Sequence, residues 1–336
     1  MKYLWLLILF LIPLKVYGTS SYIVMDADSK RVIEGANTQE KKLIASTTKI
    51  MTAIIAIENG SLDDKVKIDK DVLKAYGSNI YIETDEEITL RDLLYGLLLR
   101  SGNDAAIEIA NCIAGSMDEF VRMMNDKAKN LGMENTTFIN SSGLENDEKL
   151  GNTSTAYDMA LLMSYAIDNK TFVEISGTKR HIATTNYKTY DWYNKNKLLT
   201  SYKYTIAGKT GFTKLARRTL VTAALKDDKE LVIVTLNDPD DFDTHKYLYE
   251  KNFNKYNKEF ISCINDDMNT SSSLTVLYDV LKDDSLNDAT KKALVKSFDN
   301  VLSLDLLKGA AVFPPRPGRP CRAGTPWPEQ RRTPGG

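Results

Sequence analysis

A chain of 336 residues with 43% hydrophobic side chains has room for one large domain or two and enough apolar material to bury a core. Its formal net charge of −1 argues against a nucleic-acid binder, which would carry a strong basic excess, and three cysteines (Cys112, Cys263, Cys321) make no disulfide framework. The two histidines, His181 and His245, lie far apart, so a histidine-based zinc site is not indicated; a Ser-His-Asp triad would have to use one of them, and both read as ordinary polar residues.

The first eighteen residues read as an export signal. Lys2 supplies the positive start, Leu4–Leu14 the apolar centre and Val16-Tyr17-Gly18 a small-residue cleavage pattern. The apolar part is too short for an ordinary membrane span, and the remainder is expected outside the cytoplasm. Tyr22–Met25 and Val32–Glu34 follow as paired strands, with Asp26–Arg31 as the turn. Next comes Ile44-Ala45-Ser46-Thr47-Thr48-Lys49, running into Ile50–Ile57. A helix that is apolar on nearly every side belongs inside a domain. Asn59-Gly60 reads as its left-handed stop. Ser46 and Lys49, three apart, share a helix face. Burial lowers a lysine's pKa because the charged form loses its water. A neutral Lys49 could then take the Ser46 proton and make the serine a nucleophile.

Lys65–Ile68 and Ile80–Ile82 read as short strands. A helix starts at Thr89, with Asp92 as its capping pair, and stops at Arg100. Ser101-Gly102-Asn103 is then a tight polar loop, and Asp104 opens another apolar helix that ends near Gly115. A polar loop held between two rigid helices suits a functional position. Helices are also expected over Ser116–Leu131, with Gly132 just past the end, and from Thr155 to about Asp168. Thr136–Leu144 is a loop between them, and Phe172–Ile175 a short helical piece. His181–Thr185 and Thr189–Trp192 read as a hairpin, and Tyr204–Gly211 as a strand ending in a glycine-flanked corner. Thr219–Leu225 and Glu230–Leu236 form a second hairpin around Asp227-Asp228, and Phe242–Tyr256 is helical by periodicity. Residues 259–308 read as a short helical extension, with helices at Leu274–Leu281 and Thr290–Leu307. From Gly309 the composition changes: seven of nine prolines fall between Pro314 and Pro334, and 309–336 is expected to be a disordered tail foreign to the fold.

Taken singly, each polar motif has an ordinary structural reading. Ser46 could be a helix cap, Lys49 a solvated lysine at a helix start, Ser101-Gly102-Asn103 turn chemistry, and Lys209-Thr210-Gly211 a strand end. Ser-x-x-Lys is weak alone, as Ser176-Gly177-Thr178-Lys179 demonstrates: it matches too, but has a glycine inside it and no apolar helix after it. In combination, Ser46-x-x-Lys49, Ser101-Gly102-Asn103 and Lys209-Thr210-Gly211 resemble the three signature boxes of the penicillin-interacting serine acyl-transferases. With their flanks, Ala45–Thr52, Ser101–Ala106 and Gly208–Thr213, they resemble the low-molecular-mass penicillin-binding proteins, the D-alanyl-D-alanine carboxypeptidases of bacterial cell walls. The likeness covers roughly Tyr22–Tyr256.

That resemblance implies a mixed α/β (α+β) β-lactamase/transpeptidase-like fold over residues 19–258, an antiparallel sheet flanked by helices plus a helical lobe from Asp71 to about Asp168. It implies that Ser46 attacks the carbonyl between two terminal D-alanines, with Lys49 as base and Ser101 passing a proton to the leaving nitrogen. Asn103 would hydrogen-bond the substrate backbone, and Lys209 and Thr210 would meet the terminal carboxylate. Gly211 would leave room for an added edge, and the backbone N–H groups of Ser46 and Phe212 would form the oxyanion hole. No metal or cofactor is implied. The expected partners are a peptidoglycan stem peptide ending in D-Ala-D-Ala and β-lactam antibiotics as covalent inhibitors. Two departures stand out, since neither a second β-rich domain nor a basic amphipathic C-terminal helix is visible; secretion or loose membrane or wall association is therefore expected. A β-lactamase on the same fold and a non-catalytic β-lactam sensor remain alternatives, although the Glu-x-x-Leu-Asn string of such β-lactamases is missing around Glu145-Asn146. Endopeptidase and transpeptidase activities also stay open.

Overall fold

The computed structural model describes residues 20–253, 260, 262–264, 270–283, 288–302 and 304; the expected export signal and Pro-rich tail lie outside them. In chain order the strands are β1 (Ser21–Asp26), β2 (Val32–Ala36), β3 (Lys42–Leu43), β4 (Lys65–Lys67), β5 (Glu87–Thr89), β6 (Thr153–Ser154), β7 (Arg180–Thr184), β8 (Thr189–Tyr193), β9 (Thr205–Thr213), β10 (Arg217–Lys226) and β11 (Lys229–Leu236). The helices of the same region are α1 (Lys49–Asn59), α2 (Leu90–Tyr95), α3 (Asn103–Ala114), α4 (Met117–Asn130), α5 (Ala156–Ile167), α6 (Lys170–Gly177), α7 (Leu198–Ser201) and α8 (Asp241–Phe253).

The main sheet has the order β2-β1-β11-β10-β9 and is antiparallel throughout. Its central hairpin turns at Asp227 and Asp228, with φ of 51° and 60°, the left-handed pair that a two-residue hairpin turn demands. Successive side chains of a strand point to opposite faces. Ile23, Met25, Val232 and Val234 accordingly join the helical core, whereas Val24, Leu231 and Ile233 join the cluster under α8. Both faces are therefore covered, and α1 lies in the larger core with every residue from Lys49 to Ala56 buried. In α8, His245 is buried between the hydroxyls of Thr222 and Thr235, and burial pulls its pKa down to about 3, so it is a neutral core residue. The capping serine and threonines act as their spacing requires: Thr89, Ser116 and Thr155 accept from the backbone N–H groups of Asp92, Glu119 and Asp158.

Three local expectations are corrected. Gly60 is extended (φ −110°, ψ 156°), not left-handed. Crowding favours glycine there, because a Cβ would stand 2.4 Å from Leu90 Cδ2 and 2.7 Å from Ile113 Cδ1 and would have to push those side chains aside. Ile80–Ile82 is not a strand; β4 pairs with β5 instead, Val66 opposite Ile88. The alternating isoleucines imitate a strand period, but their backbone N–H groups go to the Asp104 carboxylate. Lys209-Thr210-Gly211 forms no corner, because β9 runs straight through it to Thr213. Beyond α8, helices Thr270–Lys282 and Asp288–Leu302 share their own apolar cluster, built on Phe260, Val276, Val280 and Phe298. Arg31 reaches this pair of helices through Asp283 at 3.2 Å. Among the described residues no helix is long and apolar enough to cross a membrane.

Candidate active site

Ser46 lies in a single 3-10 turn, Ala45–Thr48, that feeds directly into α1. Two buried hydroxyls pin the turn from beneath: Thr47 donates to the Ile44 carbonyl at 2.6 Å, and Thr48 accepts from Asn152 at 2.9 Å. Ala45 is left-handed (φ 47°), a conformation that costs a residue with a Cβ and persists only where its surroundings enforce it. The Ser46 side chain is left as the half-buried one, turned toward solvent.

One turn on, Lys49 is fully buried and its amine meets three oxygens. They are Asn103 Oδ1 at 2.7 Å, the Ser142 carbonyl at 2.6 Å and Ser46 Oγ at 3.2 Å. Burial pushes its pKa well below the ordinary lysine value, the charges of Lys209 and Lys195 push it further, and Asp104 opposes them. A neutral amine has two N–H groups. The two shorter contacts take both, and the nitrogen lone pair then faces the serine hydroxyl.

The opposite wall is β9, an edge strand of the sheet. It pairs with β10 on one side, Lys209 opposite Val221 and Gly211 opposite Thr219. One face of the strand abuts the nucleophile turn: a Cβ on Gly211 would come 2.3 Å from Thr219 Oγ1, 3.0 Å from Ser46 N and 3.1 Å from Thr47 N, which favours glycine here. Lys209 is buried and donates to the Thr210 carbonyl at 2.7 Å. Burial, followed by the neighbouring Lys195, lowers its pKa to about 7.

The third wall is the Ser101 loop. After α2 the chain widens into one π-helical turn, Gly96–Arg100, which ends with Ser101 left-handed (φ 65°, ψ 36°) and nearly buried. Single π turns of this kind are frequent at functional sites. Asn103 then starts α3 with its backbone N–H on the Ser78 carbonyl at 2.8 Å. Its carboxamide is oriented by its partners, Nδ2 donating to Tyr76 C=O at 2.6 Å and Oδ1 accepting from Lys49.

Ser46, Ser101, Thr210, Gly211 and Phe212 line one open cleft of about 490 Å³, together with Lys195, Arg218 and Asp241. Lys49, Asn103 and Lys209 stand behind that surface. All the residues expected from sequence are thus gathered around one hydroxyl, with one change of emphasis. Asn103, expected to hydrogen-bond the substrate backbone, engages both ends of its carboxamide within the protein and holds the Lys49 amine. Sequence reasoning did not find the Ser142 carbonyl, because a backbone acceptor carries no side-chain signature. It also missed the Arg218–Asp241 pair, 2.6 Å apart at the cleft rim, whose members are distant along the chain. Asp104 was read only as a helix start, although Asn-Asp at a helix entrance offered a signal. Glu145, weighed as a possible deacylating carboxylate, accepts from the Thr213 hydroxyl at the end of β9. The assembled groups suit acyl transfer: an accessible hydroxyl, an adjacent buried amine with depressed basicity, and an edge strand open to an extended peptide.

Comparison with known proteins agrees with this chemistry. The family model described as D-alanyl-D-alanine carboxypeptidase matches residues 15–240. The chain is 30% identical over 323 residues to the Bacillus subtilis D-alanyl-D-alanine carboxypeptidase DacF, covering 87% of this chain and 79% of the relative. A solved D-alanyl-D-alanine carboxypeptidase from Mycobacterium tuberculosis superposes with a TM-score of 0.62 at 33% identity, covering 64% of this chain and 81% of that one. A variant of the Streptomyces K15 DD-transpeptidase superposes with a TM-score of 0.61 at 32% identity, covering 65% and 89%.

Proposed function

The chain belongs to the D-alanyl-D-alanine carboxypeptidase family and is a serine-type D-Ala-D-Ala carboxypeptidase, and on that premise we propose how its own residues divide the work. Ser46 attacks the carbonyl between the two terminal D-alanines of a peptidoglycan stem peptide and carries the acyl group. Lys49, held neutral by burial, receives the serine proton. Ser101, on the opposite lip of the cleft, relays a proton to the departing D-alanine nitrogen. The backbone N–H groups of Ser46 and Phe212 stabilise the oxyanion. Thr210 and Lys209 receive the terminal carboxylate, and the approach of that anion raises the Lys209 pKa from near neutrality and restores its charge. Water then releases the shortened peptide. We place this reaction outside the cytoplasm, at the wall, on the strength of the family's substrate and the leader-like first eighteen residues.

The observation that carries the reading is the geometry of Lys49: its buried amine lies 2.7 and 2.6 Å from the Asn103 and Ser142 oxygens and 3.2 Å from Ser46 Oγ. The test is D-alanine release from a pentapeptide ending in D-Ala-D-Ala. The wild type should release D-alanine and Ser46→Ala should release none; release by the variant overturns the assignment of the nucleophile. A β-lactam should leave a long-lived adduct of one acyl group per chain. Rapid turnover of the antibiotic would favour the β-lactamase alternative.

A further inference from the structure

Asp104 is almost completely buried, yet no cation pairs with it among the described residues. Its carboxylate instead collects backbone N–H groups. Ile80 donates to Oδ1 at 3.0 Å and to Oδ2 at 3.1 Å, Tyr81 to Oδ2 at 2.7 Å, and Ala105 to Oδ1 at 2.9 Å. Tyr81 is left-handed (φ 63°) and largely exposed, so its own side chain does not hold that strained backbone in place. The segment gripped in this way is the one that orients the active-site asparagine: Ser78 C=O receives the Asn103 N–H, and Tyr76 C=O receives its Nδ2. The same segment also steadies Lys195, whose amine lies 3.2 Å from Ser78 Oγ. A residue that merely favoured a helix start by its charge would need none of these loop contacts.

We propose that Asp104 is a positioning residue of the acylation step: its carboxylate fastens the 76–82 segment in the arrangement that turns the Asn103 carboxamide oxygen toward Lys49. The inference rests on the reading of Lys49 as the base. The charge of Asp104 has a second consequence. The groups that bear on the Lys49 amine are Lys209 from β9, Lys195 from the stretch after β8, and Asp104 from α3. The two cations depress its pKa and the carboxylate raises it, so removing the carboxylate lets the pKa fall further.

The experiment is the rate of acylation by a fluorescent penicillin as a function of pH, on the full chain, for the wild type, Lys49→Ala, Asp104→Asn and Asp104→Glu. Asp104→Asn keeps the shape but gives up one acceptor and the charge. Its plateau rate should fall about 10- to 100-fold through misplacement of Asn103, and its acid limb should move to lower pH. Asp104→Glu keeps the charge but displaces it by a methylene, so the rate should fall while the acid limb stays near that of the wild type. A purely structural role would lower the amount of folded protein without moving the acid limb. If Asp104→Asn does not fold, Asp104→Glu decides the positional claim. Acylation at the wild-type rate in either Asp104 variant, or an unmoved acid limb in a folded Asp104→Asn, overturns the inference. Undiminished acylation by Lys49→Ala overturns the underlying reading of the base, a distinct outcome.

Discussion

The chain carries the spacing Ser-x-x-Lys twice, and the two copies end in opposite states. In the first, the hydroxyl of Ser46 faces the cleft while Lys49 is entirely buried against carbonyl and carboxamide oxygens. In the second, Ser176 near the end of α6 is the buried member, its hydroxyl without a hydrogen-bond partner among the described residues, and Lys179 lies out in solvent. Identical local spacing therefore yields a candidate nucleophile in one place and a buried serine beside an exposed lysine in the other. The difference lies in what surrounds the amine. An amine stripped of water and set near two other cations gives up its proton more readily and can serve as a base, which is the situation of Lys49.

That contrast can be broken most sharply at the lysines. Lys49→Ala should fold normally and lose penicillin labelling by roughly 10²- to 10⁴-fold, the usual worth of a general base, while Lys179→Ala should label like the wild type. Comparable labelling of the two variants would remove the distinction. A second, smaller effect concerns stability against pH. Lys209 has a folded-state pKa of about 7 against an ordinary 10.5, and Lys49 is depressed in the same direction. Between these values the unfolded chain holds protons that the folded chain lacks, so stability should rise as pH increases through that window and sit lowest below about 7. Thermal melts across that range should show the rise, and Lys209→Met should flatten it; an unchanged slope in the variant would mean that Lys209 is not the titrating group. The smallest effect belongs to Ser176. Removing a buried, unsatisfied hydroxyl should leave activity intact and raise stability by about 1 kcal/mol in a denaturant titration. A clear loss of stability would show that the hydroxyl has a partner after all.

Much of the architecture was legible beforehand, for reasons that are local. The caps at Thr89, Ser116 and Thr155 follow from a hydroxyl or carboxylate three residues from a helix start, and the β10–β11 hairpin from two apolar runs around Asp227-Asp228. The misreadings also have physical causes. Ile80 and Ile82 alternate like a strand, but a distant carboxylate claims their backbone, and Gly60 answers to crowding by Leu90 and Ile113 instead of to a turn.

By itself the amino-acid sequence determined which side chains could do the chemistry, their order, and the apolar helix that would bury Lys49 behind Ser46. Only the tertiary structure decided that the Ser142 carbonyl and the Asn103 carboxamide occupy the amine, and that Asp104 secures the segment around Asn103. The reason is that desolvation and the pairing of backbone carbonyls and N–H groups arise between parts of the chain far apart in sequence, where residue spacing carries no record of them.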